Sequence, residues 1–270
     1  MRSFLLFFII FSNLKIVMAE DGLAILKNRL SGRIVGAHQG GLFSGHFPNT
    51  MDAFQAALNS GADIVEMDLH LSKDGIVVVY HDDDLDTWTN CKGPVREKNY
   101  EELKNCQFRL DHRAHIPRFE EVLQWSSGKI IVDAEFKDFE SIKPALELVK
   151  KYNSYSWTYF QTQSNKEKFV EAHGYDPKVA LLYAVNNSEE LDWALDQDDE
   201  LLIIELNNNS RSQAFIDKIH AKNKIVTEDA WHFSKLPKLQ ELFASACKKA
   251  FKSNIDIVIS NRPKNCLRAK

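Results

Sequence analysis

Two short acidic motifs on predicted strands have the composition of a metal site. Glu66 and Asp68 are two residues apart within the predicted strand 63–71, so both side chains would point to one face. Glu135 ends a second apolar segment in the same way. Unpaired carboxylates are costly to bury, and oxygen ligands suit Ca²⁺ or Mg²⁺. The motifs therefore indicate a divalent-cation site, with a salt-bridged acidic pair at a strand end as the alternative.

Two histidines follow predicted strands beside these acids and have the chemistry of proton transfer. His38 ends one short apolar segment and is followed by the pair Gly40-Gly41, which permits close approach of the backbone to a ligand. His81 ends another such segment. Phosphodiester cleavage needs a base for the attacking oxygen and an acid for the leaving oxygen, and imidazole serves as either near neutral pH. His38 and His81 are therefore candidates for a general acid/base pair.

The elements that must position these side chains alternate between strand-like apolar segments and segments with helical periodicity. The predicted strands are 34–38, 63–71, 76–82, 129–137, 157–162, 178–185, 201–206, 224–228 and 255–260. Such alternation predicts an α/β fold with a parallel sheet. About eight repeats in ~250 residues favour a closed (β/α)8 TIM barrel, and a doubly wound open sheet is the alternative.

The third predicted strand does not fit a parallel ring, because only four residues separate it from the second. Parallel neighbours need a crossover of about a dozen residues. We therefore predict an antiparallel hairpin extension of strand 2 that turns at Asp74-Gly75. The two-residue turns possible here place His81 opposite either Glu66 or Asp68, on their face of the sheet. Residues 83–127 would form an insertion on the face that carries activity in such barrels.

Length, composition and charge are typical of one soluble globular domain. The chain has 270 residues, of which 44% are apolar and 27% charged, and its formal net charge is −4. These values exclude a disordered chain and a membrane protein with several spans. A negative net charge without a dense Lys/Arg block argues against nucleic acid as a partner. The sequence leaves the oligomeric state open.

The N-terminus predicts export from the cytoplasm. Residues 1–19 contain a charged start, an eight-residue apolar centre and small residues near Ala19. This is the pattern of a signal peptide cleaved near Ala19, and the apolar centre is too short for a stable membrane span. An uncleaved anchor or an amphipathic helix is the alternative. Cleavage would leave one barrel domain, residues 20–270, in the periplasm or secreted.

Export would change how the four cysteines behave. Cys91 and Cys106 are 15 residues apart, and Cys247 and Cys266 are 19 apart. In an oxidising compartment each pair could close a loop, whereas four free thiols remain the alternative. Neither spacing is typical of a zinc site.

The order and spacing of these motifs resemble those of the glycerophosphodiester phosphodiesterases. The resemblance runs from about residue 34 to residue 263, and its most specific part is 61–82. The matching motifs are His38-Gln39-Gly40, Asn49-Thr50, Gly61-Ala62-Asp63, Glu66-x-Asp68, Lys73-Asp74-Gly75, His81-Asp82, Ile116-Pro117, Glu135-x-Lys137 and Asp256-Ile257-Val258-Ile259-Ser260-Asn261-Arg262-Pro263.

The resemblance implies a TIM barrel that hydrolyses small glycerophosphodiesters to an alcohol and glycerol 3-phosphate with a divalent cation. By position, the residues that it implicates are Glu66, Asp68 and Glu135 as metal ligands, His38 and His81 as the acid/base pair, and Lys137 and Gln39 at the phosphate. The attacking group could be water, or the glycerol 2-hydroxyl through a cyclic phosphate, and the sequence does not choose between them.

Two departures from the family pattern bear on the substrate. Gln39 stands where the family usually has arginine, and Pro48 where it usually has glutamate, so a neutral amide replaces a phosphate-binding fork. Candidate replacements are His46, Arg33, Arg113 and Arg118. The alternative functions are a phospholipase D-like enzyme acting on (lyso)phospholipids and a non-catalytic glycerophosphodiester-binding protein.

Overall fold

Eight parallel strands close into a ring in the computed structural model, which describes residues 22–42, 45–207, 209–230 and 240–270. The strands are β1 (Ile34–Ala37), β2 (Ile64–Leu71), β3 (Val77–Val79), β4 (Ile131–Phe136), β5 (Thr158–Gln161), β6 (Ala180–Val185), β7 (Leu201–Leu206), β8 (Ile225–Asp229) and β9 (Ile257–Ser260). The ring order is β1-β9-β8-β7-β6-β5-β4-β2, and β2 pairs again with β1. Only β3 lies outside this ring within the described residues. The predicted TIM barrel is confirmed.

Helices alternate with the ring strands and cover the outside of the barrel. They are α1 (Gly22–Arg29), α2 (Met51–Ser60), α3 (Tyr100–Lys104), α4 (Phe119–Ser126), α5 (Ile142–Lys151), α6 (Lys166–Tyr175), α7 (Ser188–Leu195), α8 (Gln213–Ala221), α9 (Gln240–Lys252) and α10 (Pro263–Leu267). Several begin at a polar side chain that accepts a backbone N–H of the first turn, as Thr50 does from Ala53. None of the helices in the described part of the chain is both long and apolar enough to cross a membrane.

Apolar side chains fill the lower end of the barrel, where the strands begin. Leu26 and Leu30 from α1 pack in one buried cluster with Ile34, Ile64 and Ile131, which lie at the start of their strands. A larger apolar layer lies between the strands and the outer helices. The carboxyl ends of the strands therefore form the accessible face, where functional residues of such barrels lie.

The hairpin is present, but both predicted registers are wrong. Leu71 pairs with Val77 and Leu69 with Val79, so the turn has three central residues instead of two. Gly75, at φ +80°, supplies the left-handed third position of this longer turn. As a result the backbone carbonyl oxygen of Asp68 accepts the N–H of Tyr80, and β3 ends before the chain reaches His81.

The segment between β3 and α4 has its own small apolar core above β3. Val78, Tyr80, Leu103 and Phe108 are buried in it. A disulfide between Cys91 and Cys106 ties this segment together. Of the predicted insertion 83–127, residues 119–126 instead form α4, whose apolar side chains belong to the main barrel layer.

The ends of the described chain also pack on the barrel. A disulfide joins Cys247 of α9 to Cys266 of α10. The predicted signal peptide, residues 1–19, lies outside the described residues.

Candidate active site

Glu66, Asp68 and Glu135 meet at the carboxyl ends of β2 and β4. Asp68 pairs with Glu135 across the two parallel strands, and Glu66 lies two residues earlier on the same face as Asp68. One carboxylate oxygen from each side chain lies within 4.8 Å of the other two. Glu66 and Asp68 are almost fully buried, and Glu135 is partly buried. The structure thus brings together the three acids singled out in the sequence.

Amide groups hold two of these carboxylates in place. Glu66 Oε2 accepts the backbone N–H of Gln39 at 2.7 Å. Asp68 Oδ2 accepts hydrogen bonds from Gln39 Nε2 at 2.9 Å and from Asn49 Nδ2 at 2.7 Å. Such outer contacts fix the orientation of carboxylates that bind a metal ion. Gln39 therefore contacts both acids of β2, Glu66 through its backbone and Asp68 through its side chain.

Lys137 lies against the same cluster. Its Nζ is 3.0 Å from Glu135 Oε1 and 3.4 Å from Asp68 Oδ1. Burial alone would lower the pKa of Lys137, but the negative charges around it outweigh burial and raise that pKa. The second oxygen of Glu135 accepts a hydrogen bond from Gln163 Nε2 at 2.9 Å. Lys137 is thus a fixed cation beside the cluster.

The electrostatics of the cluster fit a divalent cation. Burial, and then the charges of Asp68 and Asp133, raise the pKa of Glu66 well above its ordinary value. Lys137 supplies one positive charge against the three clustered carboxylates. An all-oxygen ligand set is the set that Ca²⁺ and Mg²⁺ prefer. The residues present could therefore hold such an ion, which would offset the remaining negative charge.

The turn after β1 requires unusual backbone conformations. Gln39 adopts φ +52° and Gly40 φ +82°, both in the left-handed region. A Cβ at Gly40 would lie 2.9 Å from both Ala53 Cβ and Phe54 Cδ1. Glycine is therefore needed at this position for its conformation and for its lack of a side chain. The turn directs Gln39 towards the carboxylates and leaves His38 at the end of the strand.

His38 is positioned by a residue from the far end of the chain. Its Nδ1 is 2.9 Å from Asn261 Oδ1, and its Nε2 is 3.8 Å from Glu66 Oε2. Burial lowers the pKa of His38 and outweighs the opposing hydrogen bond to Asn261. A neutral ring that donates Nδ1–H to Asn261 would present Nε2 as its basic nitrogen. This state suits a general base.

His81 lines the same cavity as His38. Its side chain is about half exposed, at 51%, and its Nδ1 is 2.6 Å from Asp82 Oδ1. A carboxylate in this position orients the imidazole through its Nδ1. His81 therefore reaches the site, although the strand pairing predicted to carry it there is absent.

Sequence reasoning assigned no role to two groups that orient the histidines. Asn261 follows β9, at the same barrel end as His38, but it lies 223 residues away along the chain. Asp82 is adjacent to His81 in the sequence. Each is a polar residue at or beyond the carboxyl end of a strand, which marks its position in the fold but not the histidine that it contacts.

A cavity of about 680 Å³ opens above this group, and both polar and apolar side chains line it. The polar lining residues include His38, Gln39, Asn49 and His81. The apolar lining residues are Leu42, Phe47, Pro48, Tyr80, Trp88 and Leu110. Leu42, Trp88 and Leu110 are 45%, 40% and 76% exposed and form a rim. Sequence reasoning missed this rim because its members come from separate loops.

The three candidate arginines lie elsewhere. Arg33 donates to the carbonyl oxygen of Lys270 and lies just before β1, at the lower end of the barrel. Arg113 pairs with Asp111, and Arg118 with Glu121. These three are not among the residues that line the cavity. His46, by contrast, does line it.

Comparison with known proteins agrees with the site geometry. The sequence model of the glycerophosphoryl diester phosphodiesterase family matches residues 38–264 of this chain. A glycerophosphodiester phosphodiesterase of Bacillus altitudinis is 40% identical over 119 residues, which are 41% of this chain and 48% of that protein. A lysophospholipase D of Homo sapiens is 35% identical over 129 residues, 43% of this chain and 41% of that protein. The chain spans about half the length of the curated relatives it matches.

The fold extends over more of the chain than the sequence similarity does. A crystal structure of a glycerophosphoryl diester phosphodiesterase from Parabacteroides distasonis superposes with a TM-score of 0.78 at 20% identity. The superposition covers 92% of this chain and 90% of that one. At such low identity the likeness shows the shared barrel alone, whereas the family match covers most of the chain. The chain belongs to the glycerophosphoryl diester phosphodiesterase family.

Proposed function

We propose that the protein hydrolyses glycerophosphodiesters to an alcohol and glycerol 3-phosphate, using a divalent cation and two histidines. The observation that carries this proposal is the meeting of Glu66, Asp68 and Glu135 beside a cavity that His38 and His81 both line. Family membership and the Bacillus altitudinis relative support the same reaction. Ca²⁺ and Mg²⁺ are both suited to the three carboxylates.

In this reaction Lys137, His38 and His81 have different roles. The bound cation would neutralise charge on the phosphate oxygens. Lys137 adds a fixed positive charge beside it. His38 Nε2 takes the proton of the attacking hydroxyl, of water or of the glycerol 2-hydroxyl, as its oxygen bonds to phosphorus. His81 gives a proton to the alcohol oxygen as the P–O bond breaks. Where the 2-hydroxyl attacks, water then opens the cyclic phosphate.

The test is hydrolysis of glycerophosphocholine, measured as release of glycerol 3-phosphate. We expect turnover with Ca²⁺ or Mg²⁺ and its loss in EDTA. His38→Ala should lower kcat on the order of 10²–10⁴-fold, because it removes the proposed base. His220→Ala is the matched control, since His220 pairs with Asp256 near the lower end of the barrel. Equal activity of the two variants would refute the assigned mechanism. Binding without turnover at saturating metal would instead favour a binding protein.

A lysophospholipid is the second candidate substrate, and the apolar rim of the cavity favours it. Leu42, Trp88 and Leu110 present exposed apolar surface next to the catalytic group. A glycerophosphodiester without an acyl chain offers little apolar surface to the rim, whereas one acyl chain would cover it. The human relative named as a lysophospholipase D supports this candidate. Turnover of monomeric lysophosphatidylcholine and of glycerophosphocholine by one preparation separates the two substrates.

We also propose that the protein is exported after cleavage near Ala19. Support comes from the signal-like pattern of residues 1–19 and from two disulfides, which are typical of oxidising compartments. N-terminal sequencing of protein recovered outside the cytoplasm should begin at Glu20. Recovery of only full-length chain in the cytoplasm would contradict export.

A further inference from the structure

A second group of potential metal ligands lies beside the cavity and shares no residue with the three-carboxylate cluster. It comprises His46 from the loop after β1, Asp52 from the first turn of α2, and Asp111 from the segment above β3. One ligand atom from each lies within 4.8 Å of the other two. Three separate parts of the chain therefore direct metal-binding atoms to one point.

Two atoms of this group lack the partners that buried polar atoms need. Only 5% of the Asp111 side chain is exposed, and its Oδ1 accepts the backbone N–H of Arg113 at 3.3 Å and lies 3.6 Å from Arg113 Nε. Asp111 Oδ2 is buried and has no hydrogen-bond partner among the described residues. His46 Nδ1 is in the same situation. A buried carboxylate oxygen without a donor is costly, and a cation placed between these residues would remove the cost.

We infer that His46, Asp52 and Asp111 form a second metal site, which takes a borderline transition-metal ion such as Zn²⁺. Zn²⁺ accepts mixed imidazole and carboxylate ligands, and three protein ligands leave a fourth position for water. The first cluster offers only oxygen and so suits a different class of ion, Ca²⁺ or Mg²⁺. Binding at the two sites should therefore be measurable separately, with Zn²⁺ for one site and Ca²⁺ or Mg²⁺ for the other.

The position of this site gives it a mechanical consequence. His46 and the adjacent Phe47 line the cavity, and so does Leu110, which is next to Asp111 in a different segment of the chain. Phe47 already stacks on Phe108 with ring centroids 4.3 Å apart. An ion held by His46, Asp52 and Asp111 would link these two segments of the cavity lining through its coordinate bonds. Zn²⁺ should therefore reduce opening of the cavity rather than take part in the reaction.

The test is the number of Zn²⁺ ions bound per chain, measured by equilibrium dialysis in excess Mg²⁺. Asp52→Asn and Asp111→Asn should each weaken Zn²⁺ binding at one site by at least about tenfold to a hundredfold. Removing even an outer partner of a metal ligand weakens metal binding by that factor. Asp52 is exposed, so its variant should fold even if the buried Asp111 variant does not. Glu167→Gln, which removes an exposed first-turn carboxylate from α6, is the matched control and should bind as wild type does.

A second measurement locates the ion. Zn²⁺ should slow amide hydrogen exchange in residues 45–49 and 109–112 of the wild-type protein, and not in Asp52→Asn. Equal Zn²⁺ binding by wild type, Asp52→Asn and the control would overturn the inference. That outcome would leave the proposed hydrolysis untouched, because neither Asp52 nor Asp111 belongs to the first cluster.

Discussion

Replacing Gly40 by alanine tests whether the turn after β1 is built around a missing side chain. At φ +82° an alanine would cost about 1–2 kcal/mol in backbone strain. Its Cβ would also lie 2.9 Å from Ala53 Cβ and Phe54 Cδ1, and overpacking of this kind costs typically about 1–3 kcal/mol. The two contributions together predict a loss of about 2–5 kcal/mol in the free energy of unfolding.

Gly61→Ala is the control that separates strain from overpacking. Gly61 has a similar φ of +87°, but a Cβ there would meet nothing within 4 Å. Its variant should therefore lose only the backbone contribution, about 1–2 kcal/mol. Urea unfolding followed by circular dichroism measures both values, provided that the slope m is unchanged.

Gly40→Ala should also affect the site, whereas Gly61→Ala should not. The turn holds the Gln39 N–H 2.7 Å from Glu66 Oε2, and shifting it would misplace both Gln39 and His38. We expect weaker Ca²⁺ or Mg²⁺ binding by Gly40→Ala, measured by isothermal titration calorimetry. Equal stability losses for the two variants, with unchanged metal binding, would refute the argument from close approach.

Three further perturbations have defined outcomes. Hydrogen bonds such as that from His70 lower the pKa of Asp138 despite its burial. The ionised carboxylate therefore stabilises the protein above the ordinary carboxyl pKa, and this contribution is lost as pH falls through the lowered value. Asp138→Asn should be less stable than wild type near pH 7, and urea unfolding should show that this difference in stability shrinks in acid. Replacing Cys91 and Cys106 by serine should cost about 3 kcal/mol for a loop of this length, also read from urea unfolding, and an unchanged midpoint would contradict it. Trp88→Ala should lower kcat/KM for lysophosphatidylcholine about tenfold through lost apolar contact and leave glycerophosphocholine unaffected; equal effects on both would exclude acyl-chain binding at the rim.

The barrel and the membership of the three-carboxylate cluster could be predicted from the sequence because their signals are local. Alternating apolar and helical segments define the ring, and the carboxyl ends of parallel strands lie at one face. Acids spaced two apart on β2 must share a face, and an acid at the end of a neighbouring strand lies beside them. Glu66, Asp68 and Glu135 were therefore accessible to reasoning from pattern alone.

Other features depend on conformations and contacts that no local pattern fixes. The hairpin register depends on Gly75 taking the left-handed third position of a longer turn, and the Asp74-Gly75 pair is equally compatible with a two-residue turn. The contact between His38 and Asn261 joins residues 223 apart in the chain. The rim combines Leu42, Trp88 and Leu110 from separate loops, whose arrangement only the folded chain determines.

The central claim is that Glu66, Asp68 and Glu135 jointly bind the cation on which hydrolysis depends. Long-wavelength anomalous diffraction from crystals grown with Ca²⁺ tests it most directly. The account predicts a peak within about 2.3–2.6 Å of one oxygen from each carboxylate, and its absence in Glu66→Gln, together with loss of glycerophosphocholine hydrolysis. A crystal without density between the three acids, from protein that hydrolyses glycerophosphocholine fully in EDTA, would contradict it.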